Sequence, residues 1–201
     1  MTVAEATLVG VYDDERHVYQ YAGRKLLSVH DVMGAGGLLA DMIGDEYALW
    51  RGTAVHKAVE LHVKGTLDPA SVDDRIAPYL RAYLDFEAAT GFKVIETEKP
   101  YFNPALGIAC RPDLLGRFPG GGEALVELKS GGLSPWVRIQ TAGQDLTLGG
   151  GITRARFGLS IPNTGKPKVL PHRDSNDYRV FLACVTLANW KKETKTGRTQ
   201  K

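Results

Sequence analysis

Asp113 closes one apolar run, in Ala109-Cys110-Arg111-Pro112-Asp113-Leu114-Leu115-Gly116, and Glu127 and Lys129 close the next, in Leu125-Val126-Glu127-Leu128-Lys129. Two strands that end side by side would bring two carboxylates and an ammonium to one point. Paired carboxylates suit a hard divalent ion, and a lysine beside them suits a water activated against a phosphodiester. The Glu-x-Lys triplet alone carries little weight, because with 23 acids and 12 lysines in 201 residues chance supplies about one. A second triplet, Glu193-Thr194-Lys195, lies in a polar tail with no apolar strand before it. The first has such a strand, and Asp113 lies fourteen residues upstream, a separation that a hairpin spans. A turn aspartate after Pro112 and an exposed strand-end lysine are the plainer readings of Asp113 and Lys129.

Two helices must flank these strands. Upstream, Leu49, Val55, Val59 and Val63 mark an amphipathic helix over about 45–63, broken by Gly65. Within it, Arg51-Gly52-Thr53-Ala54-Val55-His56 offers a histidine as a further ligand, and Gly52 one turn earlier would let another backbone come close. Most helix histidines are packed or surface residues, so His56 gains weight only beside the acids. Downstream, Pro135 opens a helix reaching about residue 148. It sets Gln140 and Gln144 on one face, at i and i+4. Two neutral amides there could hold a phosphate without competing for the ion. Trp136 either stacks on a base or packs under its helix.

The remaining elements follow from patterning. Residues 8–21 alternate around Asp13-Asp14-Glu15 as a hairpin would, and Ser28 is a plausible N-cap for a short segment before glycines 34, 36 and 37. A second long helix is expected over about 69–90, stopped by Gly91. Strands are expected at 93–98, 107–118, 124–129, 154–160 and 168–170, and a last helix over 175–192. Helix, strands, helix and strand around one core predict an α/β chain with a central mixed sheet. Its divisions would be an N-terminal hairpin and helix (1–45), a core (46–170), a C-terminal helix (171–192) and a disordered basic tail (193–201).

Composition narrows the class. With 43% hydrophobic residues, the chain can bury a core. Cys110 and Cys184 are far apart, lack metal-ligand spacing and read as core residues. No run approaches the roughly 20 apolar residues that span a bilayer, and no signal segment is visible. A soluble, cytoplasmic setting is the expectation. The net charge of +2 does not demand a nucleic-acid partner. However, Arg51, Arg111, Arg117 and Arg138 are expected around the site, and Lys191, Lys192, Lys195, Arg198 and Lys201 form a basic tail.

Taken in order, Gly-x-x-x-His, Glu, Pro-Asp, Glu-x-Lys and Gln-x-x-x-Gln resemble the RecB-like branch of the PD-(D/E)xK nuclease superfamily, over about residues 46–150. The branch includes Cas4 proteins and phage recombination exonucleases. The resemblance implies a restriction-endonuclease-like core with Mg²⁺ or Mn²⁺ as cofactor. It implies that His56, Asp113, Glu127 and the backbone carbonyl of Leu128 hold the ion. Lys129 would orient or deprotonate the attacking water, Gln140 would face the site, and Glu98 would match an acid that holds a second ion or a water. Arg51, Arg111, Arg138, Gln144 and Trp136 become candidates for contact with DNA.

Two departures stand out. The branch commonly has tyrosine where this chain has Gln144, as the lambda exonuclease type does not, and two cysteines cannot make the iron–sulfur site of Cas4 proteins. The expected activity is a metal-dependent DNA nuclease, an exonuclease that processes ends in recombination or repair. Phage origin and a single-strand annealing partner rest on the resemblance alone. The alternatives are an endonuclease, a hydrolase of another phosphoester, and a DNA- or partner-binding module of the same fold.

Overall fold

A computed structural model describes residues 10–39, 45–149 and 154–195. Its strands are β1 (Gly10–Asp13), β2 (Val18–Tyr21), β3 (Arg24–Ser28), β4 (Lys93–Thr97), β5 (Tyr101–Asn103), β6 (Ile108–Cys110), β7 (Leu114–Arg117), β8 (Glu123–Lys129), β9 (Ala155–Ser160) and β10 (Lys168–Pro171). Its α-helices are α1 (Val29–Ala35), α2 (Glu46–Val63), α3 (Ala77–Thr90), α4 (Val137–Thr147) and α5 (Asn176–Lys195).

The strands form two mixed sheets, ordered β1-β2-β3-β6-β5 and β10-β9-β8-β7-β4. The single strand expected over 107–118 is therefore two, one in each sheet. Pro112 explains the break: without an N–H it cannot continue a ladder, and the chain changes sheets across Arg111-Pro112-Asp113. The long helix expected from residue 69 is also interrupted. Asp68 caps a single 3₁₀ turn at Pro69–Ser71, and α3 begins only at Ala77, with Pro78 confined to its first turn. The predicted hairpin appears as β1 and β2, while residues 8 and 9 lie outside the described residues. Helix α5 runs to Lys195, into the stretch expected as a tail, and residues 196–201 also lie outside.

Alternation along β8 decides what each face meets. Val126 and Leu128 enter a core with Val55 and Val59 of α2, Tyr79, Tyr83 and Phe86 of α3, and Phe92, Leu114 and Leu159. Glu127 and Lys129 point to the opposite face, which α4 covers. A second core joins α1, β6, α4 and α5 through Met33, Ile108, Ile139, Phe181 and both cysteines. Helix α4 can lie this close to α5 because Gly143 has no side chain, and a Cβ there would stand 2.3 Å from the Phe181 ring.

A buried polar cluster fixes α5 to β9 and α4. The Arg156 guanidinium reaches Asp177 Oδ2 at 3.2 Å and donates to the carbonyls of Arg138 and Asp174. Both side chains of the pair are almost completely buried. Nearby, Thr141 shares a 3.0 Å hydrogen bond with His172, whose imidazole burial and the Arg156 charge push down to about 4.

Candidate active site

The strand ends and two helices place the predicted residues in two adjoining groups. In the first, His56 comes from α2, Glu98 from the residue after β4, and Asp113 from the residue before β7. One ligand atom of each lies within 4.8 Å of the others. His56 Nδ1 is 3.2 Å from Asp113 Oδ1 and 3.8 Å from Glu98 Oε1. In the second group, Glu127 is 2% exposed and accepts three side-chain hydrogen bonds. Its Oε1 accepts from Lys129 Nζ and Gln140 Nε2, both at 2.7 Å, and its Oε2 accepts from Gln144 Nε2 at 2.8 Å. Spacing i, i+4 on α4 delivers both amides to one carboxylate.

Leu128 joins the groups, its N–H donating to Asp113 Oδ2 at 2.7 Å. A strand residue turns its N–H and C=O to the same edge, so the Leu128 carbonyl also faces the Asp113 side.

Burial and charge set the protonation. Burial alone would lower the His56 pKa, but Asp113, with help from Glu98 and Glu127, outweighs it and lifts the imidazole to about 10. Asp113 is held below the usual carboxylate range: burial opposes this, and the charge and hydrogen bond of His56 prevail. Burial, then the charge of Asp113, pushes Glu127 up against the pull of Lys129. Burial likewise raises Glu98, against the His56 hydrogen bond. Lys129 is raised, since Glu127 and Asp113 outweigh its burial. It is an ammonium at neutral pH.

A testable consequence concerns the metal-free protein. His56 contributes its full stabilisation below its ordinary pKa of 6.5 and loses it as pH rises toward about 10. Thermal melts in EDTA between those limits should show a decline on the order of a few kcal/mol. His56→Gln should flatten it, and an equal slope in the variant would show that His56 is not the cause.

Backbone conformation marks Glu98, as it marks His17 and Ala22 in the hairpin turns. Its φ is 51°, a left-handed geometry that costs a residue with a side chain about 1–2 kcal/mol. Its N–H donates to the Pro112 carbonyl at 3.1 Å, and its Oε2 lies 2.8 Å from Arg111 Nε. Strain of this kind persists where the surroundings over-determine it, commonly at functional sites.

The arginines part company. Arg51 Nε reaches Ser130 Oγ at 3.3 Å, next to Lys129. Arg111 is already neutralised by Glu98 and by Asp14 at 2.6 Å, with its guanidinium carbon 4.9 Å from the centre of the Tyr12 ring. Arg138 is turned away, paired with Asp177 at 3.1 Å and Asp174 at 3.6 Å. Arg117 ends β7, four residues from Asp113, or about 13 Å along a strand. Neither Arg138 nor Arg117 surrounds the site, because each serves a neighbouring acid elsewhere. Trp136 packs against the second core and holds its ring centre 5.2 Å from Lys129 Nζ.

Sequence reasoning missed the N-terminal hairpin as part of the site. Tyr12, Asp14 and His17 face α2 across a cleft of about 910 Å³ that ends at His56, Glu98 and Asp113. The alternation of residues 8–21 gave the hairpin, but nothing local tells where a hairpin docks. Gly52 also differs from expectation, since no atom of the described residues other than its own helix and chain neighbours lies within 4 Å of a Cβ built there. Among the described residues, no helix is long and apolar enough to cross a membrane.

No protein-family model matches the chain, and no curated protein matches it in sequence. Its structure is similar to that of a candidate exonuclease from Eubacterium rectale, with a TM-score of 0.53 and 16% identity over 87% of this chain and 83% of the other. A looser likeness, with a TM-score of 0.37, links it to LHK-Exo, an alkaline exonuclease from Laribacter hongkongensis, at 14% identity over 87% of this chain and 95% of the other. The chain has a mixed α/β, restriction-endonuclease-like fold, two mixed sheets flanked by helices.

Proposed function

We propose that the protein is a divalent-metal-dependent DNA nuclease that trims DNA ends. The observation that carries this reading is the meeting of His56, Glu98 and Asp113 within 4.8 Å, beside a lysine–carboxylate pair at the end of the same sheet. The fold shared with a candidate exonuclease supports it.

The donor set fits an ion. Ligands on opposite sides of Mg²⁺ stand about 4.2 Å apart, close to the span of the group. One imidazole among oxygens favours Mn²⁺ over Mg²⁺. His56, Asp113 and Glu98 would hold the ion, with Glu127 and the Leu128 carbonyl on the neighbouring strand as further candidates. When bound, such an ion offsets charge on the scissile phosphate and lowers the pKa of a bound water.

The protein's own groups divide the remaining work. Gln140 and Gln144 grip both oxygens of Glu127 and fix its orientation. The amide oxygens of both glutamines are buried and accept no hydrogen bond among the described residues. Lys129, charged and anchored on Glu127, orients the attacking water and offsets charge on the phosphorane. Arg51, bonded to Ser130, and Trp136, against Lys129, are candidates to contact the strand.

Incubating end-labelled linear duplex, single-stranded DNA and circular DNA with Mg²⁺ or Mn²⁺ tests the reading. Metal-dependent loss of label from linear DNA is expected, and EDTA should stop it. Absence of cleavage under every condition would refute the proposal, and circular DNA cut as fast as linear would make the enzyme an endonuclease. A role in recombination or repair, with a single-strand annealing partner, rests only on the family resemblance.

A further inference from the structure

Gly52 stands inside the 18-residue helix α2, where glycine costs about 1 kcal/mol relative to alanine. Neither usual reason for a glycine applies. Its backbone is helical, not left-handed. Nor does any neighbour require the space, since a Cβ on Gly52 would meet no atom of the described residues within 4 Å. Gly143 in α4 shows the contrast, because there the Phe181 ring fills the place of the missing side chain.

The space over Gly52 belongs to the cleft of about 910 Å³. It lies one helical turn before His56, about 6 Å along the axis. Across the cleft stand Tyr12 and His17, joined by a 2.8 Å hydrogen bond between Oη and Nδ1. Among the side chains of Thr53, His56, Lys57 and Glu60 the α2 wall thus opens to bare backbone at Gly52, and the opposite wall carries Tyr12 and His17.

We propose that Gly52 is a substrate-contacting residue, and that the sugar–phosphate backbone of a single polynucleotide strand crosses α2 there on its way to the His56, Glu98 and Asp113 group. This rests on the nuclease reading and adds the course of the substrate. Glycine allows the closest approach of one backbone to another. A backbone lying on that wall turns its bases toward the hairpin, where Tyr12 and His17 line the cleft. A side chain at position 52 would enter the cleft without disturbing the protein core.

Gly52→Ala and Gly52→Leu test this. Binding of a fluorescein-labelled single-stranded 20-mer is followed by anisotropy in Ca²⁺, alongside thermal melting. Gly52→Leu should weaken binding at least tenfold and Gly52→Ala about threefold, while both melt at or above the wild-type temperature because each removes a helix glycine. A folded Gly52→Leu variant that binds within twofold of wild type would overturn the proposal. Should leucine lower the melting temperature, Gly52→Ala decides alone, a threefold loss supporting the proposal and wild-type affinity overturning it. Wild-type protein that binds the strand but cleaves no DNA in Mg²⁺ or Mn²⁺ overturns the nuclease reading and leaves the variants to judge the strand path. Failure of the wild type to bind any strand overturns both.

Discussion

Lys129→Ala is expected to slow DNA hydrolysis by about a thousandfold, with little change in the affinity for DNA. The magnitude follows from the roughly 10²–10⁴ that a positioned proton-transfer or charge-stabilising group contributes. The ammonium is 2.7 Å from Glu127 Oε1, and the charges of Glu127 and Asp113 keep it protonated at this strand end. Lys129→Arg should rescue little, because a planar fork cannot hold a water as a compact ammonium does. The change also removes a cation that pulls the Glu127 carboxyl down, so Glu127 moves further up. Gln140 and Gln144 still hold its carboxylate, and the fold should survive. Single-turnover rates with saturating DNA, beside circular dichroism and melting curves, measure this. Undiminished cleavage by a folded Lys129→Ala protein would remove Lys129 from the chemistry.

The largest loss of stability should come from a different place, Asp177→Ala. That change leaves Arg156 buried without its anion, and an unpaired buried charge costs about 3–5 kcal/mol. For a chain of this length the melting temperature should fall by roughly 10 °C. Replacing both partners with apolar residues, Arg156→Met with Asp177→Leu, should recover much of the loss, since a buried pair is often worth no more than its hydrophobic substitute. If the double variant melts below Asp177→Ala, the pair contributes more than mutual neutralisation.

These two residues differ in how far the sequence announces them. Lys129 stands out because strand alternation and the ends of two runs can be read directly, and Gln140 and Gln144 because i, i+4 spacing guarantees a shared helix face. Their common target, Glu127, follows from placing α4 over β8. Arg156 and Asp177 carry no such mark. A buried arginine reads like a surface arginine until α5 is packed against β9, and packing is a long-range event. Strand β5 was missed because three residues between Pro100 and Pro104 show no period. The division of 107–118 was missed because apolar residues continue on both sides of Pro112, and only the second sheet gives them separate partners. Arg138 was placed at the site because it is near Lys129 in sequence. Its place two residues before Gln140, about 200° around α4, aims it at Asp174 and Asp177 instead.

The passage of the chain at Arg111-Pro112-Asp113 has a mechanical side. Those three residues and the equally short Glu98-Lys99-Pro100 between β4 and β5 are the shortest covalent links between the two sheets among the described residues, and the first of them carries the acid that His56 and Leu128 grasp on one side and the arginine that Glu98 and Asp14 grasp on the other. A ligand that draws Asp113 and Glu98 together therefore acts as a rivet, fastening the hairpin sheet to the sheet that bears Lys129. On the nuclease reading, occupancy of the site and rigidity of the joint would become one property.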